Sequence, residues 1–388
     1  MAREYVFETG SLYRQVRERS MEFGQERAPA RADGVVVRAV DFTSHAGRVL
    51  MDADRQEERN LRFACPLFLK DGAGPQVDLA IVLNGLNETE YRKFFPWAAT
   101  LARNGVAVLL FPIAFHINRR PRGWSAPAVL HEITAQRSRI ISNRLCTPMN
   151  AVLSKRLADH PERFFLDGLQ TFRDLCALAE SIRGGNLEIT RSVAQEGTLR
   201  SDARLHLLGY SLGGYLSLIL RLHPRSAPLF ASGKTVLFCS GAALRPGAGG
   251  AANPTSPLIL DSHATERLRA FYLDGNPYPH RDTEEAALFE KVFVGDGTDL
   301  PELLATVRDS TTVIVGESDV VIPAASVASH LGAVDVVLPI GLHEYPFNLG
   351  EYVGRPSERL MARAYDVGEP FRVVFQDFMD HVLGAITA

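Results

Sequence analysis

The residue with the clearest chemical potential is Ser211, which stands in a Gly-x-Ser-x-Gly motif. An apolar run at 205–208 precedes the motif and a helical pattern at 215–223 follows it, which predicts a strand, a very tight turn and a helix. Such a turn would hold the serine hydroxyl out above a sheet. The first N–H groups of the helix, near Leu212, would then meet a developing negative charge. This combination predicts acyl transfer.

The serine turn needs a sheet behind it, and the flanking sequence predicts one. Apolar runs of the kind buried on both faces of a parallel sheet alternate with helical patterns. The runs cover residues 35–40, 61–69, 79–83, 106–111, 205–208, 235–239, 311–315 and 334–338. The alternation predicts an α/β fold with a mostly parallel sheet, helices on both faces and an antiparallel edge formed by the first two strands.

The predicted strands also indicate how the chain is divided. Residues 1–34 are charged and irregular, which predicts an N-terminal arm packed across a domain formed by residues 35–388. Two long stretches, about 113–165 and about 241–300, interrupt the regular alternation. Excursions of this length are more often functional than structural. We expect both to form a cap over the active site, since ligands bind outside the carboxyl ends of the strands.

Composition limits the function further. The 388 residues are 46% hydrophobic and 22% charged, and the net charge of −3 gives no general attraction to nucleic acid. The N-terminus lacks a basic-then-apolar signal pattern, and no apolar run approaches the roughly 18 residues of a membrane span. The four cysteines form no C-x-x-C pair. We expect a cytoplasmic protein with no nucleic-acid partner and no membrane span, of unknown oligomeric state.

The Ser211 turn and two later loops resemble the α/β-hydrolase superfamily of serine hydrolases, which includes esterases, lipases and thioesterases. In that superfamily a nucleophile, an acid and a histidine follow one another, each on a loop after a strand. Here Asp319 lies in a Gly-Glu-Ser-Asp loop after one predicted strand, and His343 follows the last one. The resemblance covers roughly residues 60–386 and implies an eight-stranded type of sheet with lid-like insertions.

The resemblance also implies a catalytic triad of these three residues. His343 would take the proton of the Ser211 hydroxyl during attack and return it to the leaving group. Asp319 would fix the imidazole tautomer and stabilise the imidazolium. This chemistry requires no metal and no organic cofactor.

An oxyanion hole is implied at the backbone N–H groups of Leu86 and Leu212. The loop before Leu86, commonly His-Gly in the superfamily, is Asn-Gly here. The predicted substrate-binding residues are Asn84, Gly85, Asn87, Tyr210, His116 and Arg119. Two of these residues have an alternative to substrate binding. His116 would instead be hydrogen-bonded inside an ordered loop. Arg119 would form a solvated face with Arg120 and Arg122 and would not bind a substrate carboxylate or phosphate.

Alternatives also remain for the acid and for the activity. If Asp319 were only a loop carboxylate, the acid that orients His343 would be Glu317 or an acid in the stretch 241–300. The leading function is hydrolysis of a carboxylic ester of a small-molecule acyl substrate; a thioesterase, acyltransferase or amidase would use the same acyl-enzyme. A peptidase of the prolyl-oligopeptidase type would need a propeller, whose repeats are not evident. A non-catalytic binding protein is the alternative of another class.

Overall fold

A nine-stranded sheet forms the centre of the chain. The computed structural model describes residues 3–18, 22–25, 28–140, 148–185, 199–245, 260–297, 299–340, 343–344, 346–347 and 371–388. Strands in these residues are β1 (Ala30–Ala32), β2 (Val35–Thr43), β3 (Arg62–Lys70), β4 (Gln76–Leu83), β5 (Ala107–Phe111), β6 (Leu199–Tyr210), β7 (Thr235–Phe238), β8 (Thr311–Gly316) and β9 (Val336–Leu338).

The strand order is β1-β2-β3-β5-β4-β6-β7-β8-β9. Strands β4 to β9 run parallel to one another. Strands β1, β2 and β3 form an antiparallel edge, and β3 pairs with β5. The predicted α/β fold with a mostly parallel sheet and an antiparallel edge is therefore confirmed. The short strand β1 was not expected and raises the number of strands to nine. Leu83 pairs with Phe111 and Gly209, so the carboxyl ends of three central strands lie side by side.

Helices cover both faces of the sheet. They are α1 (Gly10–Glu18), α2 (Glu58–Leu61), α3 (Phe95–Arg103), α4 (Pro127–Ile140), α5 (Pro148–Asp159), α6 (Arg163–Arg183), α7 (Leu212–Leu222), α8 (Ala227–Phe230), α9 (Ser262–Leu273), α10 (Glu284–Phe289), α11 (Leu300–Ala305), α12 (Ala324–Leu331) and α13 (Phe371–Thr387), and a π-helix, Glu290–Val294, continues α10. Within the described ranges, no helix combines the length and the apolar character needed to cross a membrane.

The buried strands have apolar residues on both faces because each face supports its own core. In β4, Leu79, Ile81 and Leu83 belong to the core under α6 and α7, whereas Ala80 and Val82 belong to the core under α3 and α13. Successive side chains of a strand point to opposite faces, so this division follows from the pleat. The continuous apolar run of β4 is the sequence signature of that burial.

The N-terminal arm is part of the sheet and of one core. Strand β1 pairs with β2 in antiparallel register, and the side chains of Val6, Leu12 and Val16 are buried in the core that includes α3 and α13. The arm thus extends the sheet and covers one of its faces.

The two irregular stretches contact each other. The first contains α4 and α5, and the second contains α9, α10 and the π-helix. The Arg137 guanidinium of α4 donates to both carboxylate oxygens of Asp261, the N-cap residue of α9, with an Nε···Oδ2 distance of 2.6 Å. Residues 141–147, 246–259 and 298 of these stretches lie outside the described residues.

Candidate active site

Ser211 occupies a strained turn between β6 and α7. Its backbone has φ 52° and ψ −116°, a conformation that is uncommon for a residue with a side chain. A Cβ atom on Gly213 would lie 2.4 Å from the carbonyl oxygen of Leu83, so only glycine permits this approach of helix and strand. The Ser211 N–H donates to the carbonyl of Phe238 at 2.9 Å, which ties the turn to β7.

A chain of hydrogen bonds joins Ser211, His343 and Asp319. The Nε2 atom of His343 lies 2.8 Å from the Ser211 Oγ, and its Nδ1 atom lies 2.8 Å from an Asp319 carboxylate oxygen. The three residues are only 7%, 2% and 4% exposed, respectively. The carboxylate accepts from Nδ1–H, so the neutral ring offers Nε2 as the acceptor of the serine proton. Residues 341 and 342, which precede His343, lie outside the described residues.

Asp319 is held in place by the loop after β8. Its other carboxylate oxygen accepts from the N–H groups of Val321 and Ile322 at 2.8 and 2.9 Å. The thiol of Cys239, directly after β7, also hydrogen-bonds to Asp319, and burial together with this carboxylate raises the pKa of the thiol. The Cys239 sulfur, an Asp319 oxygen and a His343 nitrogen, which are atoms that can ligate a metal ion, lie within 4.8 Å of one another. We assign these three side chains to the hydrogen-bond chain and not to a metal site, because His343 and Asp319 already pair with each other.

Tyr210, which was predicted to bind substrate, positions His343. Its hydroxyl donates to the His343 carbonyl, and its ring stacks on the imidazole with centroids 5.5 Å apart. Lys93 supports the same loop, donating to the Glu344 carbonyl at 2.7 Å and forming a nearly buried ion pair with Glu88. The sequence offered no signal for Lys93, which lies 250 residues from His343 in the chain (343 − 93).

The loop after β4 passes directly over the serine turn. A Cβ atom on Gly85 would lie 3.3 Å from the Ser211 Cβ atom. In the described part of the chain, the amide N–H groups of Leu86 and Leu212 have no hydrogen-bond acceptor. Both residues line the cavity beside the turn. Two free amides on either side of a serine are the arrangement that an oxyanion hole requires.

Two asparagines of this loop, which were predicted to bind substrate, have structural contacts. Asn84 is 2% exposed; its carbonyl accepts from the Ile113 N–H at 2.9 Å, and its amide donates to the Gly85 carbonyl at 2.8 Å. Asn87 has φ 64° and donates to the Asn150 side chain of α5 at 2.8 Å. Both asparagines therefore fix the shape of the loop.

An apolar cavity begins at Leu86 and Leu212 and extends toward α6. Described residues from both irregular stretches contribute to its wall, together with α6 and α7. The lining residues are Leu86, Ile113, His116, Leu153, Leu157, Phe164, Phe165, Asp167, Gly168, Leu169, Phe172, Leu212, Tyr215, Leu216, Ile219, Glu285, Phe289 and Phe293. A mostly apolar cavity beside two free amides suits the acyl part of a substrate.

Arg119 is a structural residue, so the prediction that it binds substrate is wrong. It is fully buried, and its guanidinium pairs with Asp174 at 2.9 Å and donates to the carbonyls of Asn60 and Pro112. The local sequence does not distinguish a substrate-binding arginine or a solvated one from an arginine in a buried ion pair. Arg122 is exposed and pairs with Glu22, as the alternative of a solvated face predicted.

Replacing Arg119 with Met should lower the free energy of unfolding by about 3–5 kcal/mol, because the Asp174 carboxylate would remain buried without a counter-charge. The matched control is Arg122→Met, which removes a cation whose side chain is 71% exposed. The control should change the free energy by less than about 0.5 kcal/mol. The free energy of unfolding of both variants is measured by urea denaturation. Equal losses of this free energy in the two variants would contradict a structural role for Arg119.

His116 is buried beside the cavity and is neutral. Its Nδ1–H donates to the Ala114 carbonyl at 2.8 Å. Burial, and after it the positive charges of Arg120, Arg156 and Arg119, lower the pKa of the imidazole to about 4. The two readings of His116 from the sequence are therefore compatible, since a histidine hydrogen-bonded inside its loop also lines the cavity.

This pKa has a consequence for stability. Between the unfolded value of about 6.5 and the folded value of about 4, the unfolded chain binds a proton at His116 that the folded chain does not. The stability that the neutral His116 contributes is therefore complete above the unfolded pKa and is lost as the pH falls toward the folded pKa. From pH 7 to pH 5 the loss should be about 2 kcal/mol.

The measurement is urea unfolding at both pH values. His116→Gln should lack this part of the pH dependence, whereas His131→Gln, a control at an exposed histidine of α4, should keep it. If His116→Gln keeps the full dependence, His116 is not the group responsible.

The chain matches one family model and is similar to several solved structures. A family model described as "Family of unknown function (DUF6051)" matches residues 36–381. No curated protein sequence matches the chain. Among solved structures, the chain is similar to a brefeldin A esterase described as a bacterial homologue of human hormone-sensitive lipase, with 12% identity, 95% of this chain and 81% of that chain covered, and a TM-score of 0.45. It is also similar to a bacterial heroin esterase, with 14% identity, 86% and 83% covered, and a TM-score of 0.40.

Proposed function

The chain belongs to the DUF6051 family of unknown function, and from its active-site geometry we propose that it is a serine hydrolase that cleaves carboxylic esters through an acyl-enzyme. One observation carries this proposal: the serine at a strained strand–helix turn is hydrogen-bonded to a histidine that is hydrogen-bonded to a buried carboxylate. A nucleophile, a base and a group that orients the base are the parts that acyl transfer needs.

In the proposed reaction, the Ser211 oxygen attacks the ester carbonyl while His343 Nε2 removes the hydroxyl proton. The imidazolium then gives this proton to the leaving alcohol, which departs and leaves the acyl group on Ser211. Water then attacks the acyl carbonyl while His343 removes one of its protons. The bond between the acyl carbon and the Ser211 oxygen breaks, the acid leaves, and His343 returns the proton to the Ser211 oxygen. Asp319 accepts from Nδ1–H throughout, which stabilises the charged ring without taking its proton.

The N–H groups of Leu86 and Leu212 would bind the oxyanion of both tetrahedral intermediates. Each donor in such a hole contributes about 3–4 kcal/mol to the stabilisation of the transition state. The amide of Leu212 is also the first of α7, so the helix dipole favours negative charge there. The apolar cavity that starts at these two residues would take the acyl group.

Thioesters and amides remain variants of the proposal, because they pass through the same acyl-enzyme. Transfer of the acyl group to an acceptor other than water is a further variant. A non-catalytic binding protein is the alternative from another class, but it leaves unexplained why a serine is held in an unfavourable backbone conformation against a buried histidine.

Labelling with a fluorophosphonate probe tests the proposal. The native protein should be labelled at Ser211, whereas heat-denatured protein and Ser211→Ala should not be labelled. Hydrolysis of p-nitrophenyl esters of graded chain length, measured beside acyl-CoA thioesters, should then separate the ester and thioester variants. A native, folded protein that is neither labelled nor active on any of these esters would favour the binding protein.

A further inference from the structure

Four titratable side chains line the otherwise apolar cavity, and three of them have protein partners. The Tyr215 hydroxyl donates to the Ala242 carbonyl at 2.5 Å. The Asp167 carboxylate accepts from the Arg156 guanidinium at 2.8 and 3.1 Å. Glu285 forms an ion pair with Arg173 at 3.6 Å. The Nε2 atom of His116, in contrast, is buried and has no hydrogen-bond partner among the described residues. A buried polar atom without a partner requires an explanation.

The state of this atom follows from the other side of the ring. A carbonyl oxygen is only an acceptor, so the contact of Nδ1 with the Ala114 carbonyl requires the proton to be on Nδ1. The Nε2 atom of the neutral ring is then a lone-pair acceptor. Burial and the nearby guanidinium groups of Arg120 and Arg156 keep the ring neutral. His116 therefore presents an acceptor, and no donor, at Nε2.

The backbone holds His116 in this position at an energetic cost. The residues on either side of it have left-handed backbone angles, φ 62° for Phe115 and φ 50° for Ile117. This region is especially unfavourable for a β-branched residue such as isoleucine. The strained segment is fixed by hydrogen bonds from the Ile117 N–H to the Glu88 carbonyl at 3.0 Å and from the Phe115 N–H to Asn60 at 3.2 Å. Strain of this kind concentrates at functional sites.

We propose that the Nε2 atom of His116 determines specificity by accepting a hydrogen bond from a hydroxyl or amide N–H on the acyl group of the substrate. The substrate class is then an ester whose apolar acyl chain carries one hydrogen-bond donor. An acyl chain without a donor would leave the acceptor buried and unpaired, and sites built this way discriminate strongly against such analogues. This inference rests on the proposed function of the Ser211 site.

The test compares two series of p-nitrophenyl esters of increasing chain length. One series ends in a hydroxyl group, and the matched series ends in a methoxy group, which retains the oxygen but cannot donate. For the chain length at which the hydroxyl reaches His116, kcat/KM of the wild-type protein should favour the hydroxy ester by about tenfold or more. His116→Phe, which has a ring without an acceptor, should reduce this preference to about one.

Two controls separate specificity from damage to the fold. The melting temperature of His116→Phe controls for the fold, and labelling of the variant at Ser211 by the fluorophosphonate shows that the serine turn is still formed. His116→Gln, whose amide oxygen can replace the Nε2 acceptor, should keep part of the preference and serves as the second variant if His116→Phe does not fold.

The outcomes distinguish this inference from the proposed function. Ester hydrolysis with no preference for hydroxy esters at any chain length, or with a preference that survives in His116→Phe, would overturn the role of His116 alone. Absence of both hydrolysis and Ser211 labelling in the wild-type protein would overturn the proposed function and the inference with it.

Discussion

Replacing Ser211 with Ala, or His343 with Ala, should lower kcat for ester hydrolysis by a factor of roughly 10⁴ to 10⁶. The nucleophile and its base act in one proton transfer across the 2.8 Å hydrogen bond between Oγ and Nε2. Without the base, the serine hydroxyl is a poor nucleophile at neutral pH; without the nucleophile, the histidine has no proton to remove.

The double variant is the decisive measurement, because the two residues should act as a unit. Its kcat should lie within about tenfold of the lower single variant, and the residual rate would come from the oxyanion hole and substrate binding. Melting temperatures of all three variants control for loss of the fold. Losses that add fully in the double variant would exclude a shared proton transfer between Ser211 and His343.

Replacing Asp319 with Asn should lower kcat by about 10⁴ while leaving the fold intact. The carboxylate accepts from Nδ1–H of His343 at 2.8 Å. An amide presents N–H donors, and when it donates to Nδ1 it stabilises the tautomer whose proton is on Nε2, which cannot accept from Ser211. The second oxygen, which accepts from Val321 and Ile322, would be retained as the amide oxygen.

Glu317 is the matched control, since it was the alternative acid on the same loop. Its side chain is exposed, and the His343 ring is already paired with Asp319. Glu317→Gln should therefore change kcat by less than about tenfold. The assignment of the acid would be reversed if Glu317→Gln were the more damaging substitution.

The fold could be predicted from the sequence because its main signals are local. Apolar runs such as 79–83 and 311–315 correspond to β4 and β8, and each is buried on both faces. Strand β1 was missed because three residues are too short to show a pattern. Helices α4 and α5 were missed because proline-containing sequence was interpreted as irregular. The cytoplasmic location and the absence of a nucleic-acid partner stay predictions.

The candidate triad could also be named from the sequence, because each member follows a recognisable strand in the order that the resemblance to the α/β-hydrolase superfamily implies. The structure brings Ser211, Asp319 and His343 into one hydrogen-bond chain. Tyr210 and Arg119, which were predicted to bind substrate, lie near the active-site loops. Their polar groups, however, have hydrogen-bond partners inside the protein. Proximity in the chain to an active-site loop does not determine the direction of a side chain.

The sequence by itself determined the tight turn at Ser211 and the succession along the chain of the longer strands and most helices, since these depend on neighbouring residues. Only the tertiary structure decided which buried polar atoms have partners. Arg119 meets a carboxylate 55 residues away, whereas the Nε2 atom of His116 meets none in the described part of the chain. The physical reason is that a hydrogen bond requires two atoms within about 3 Å. Packing of elements far apart in the sequence brings such pairs together, and no local pattern records it.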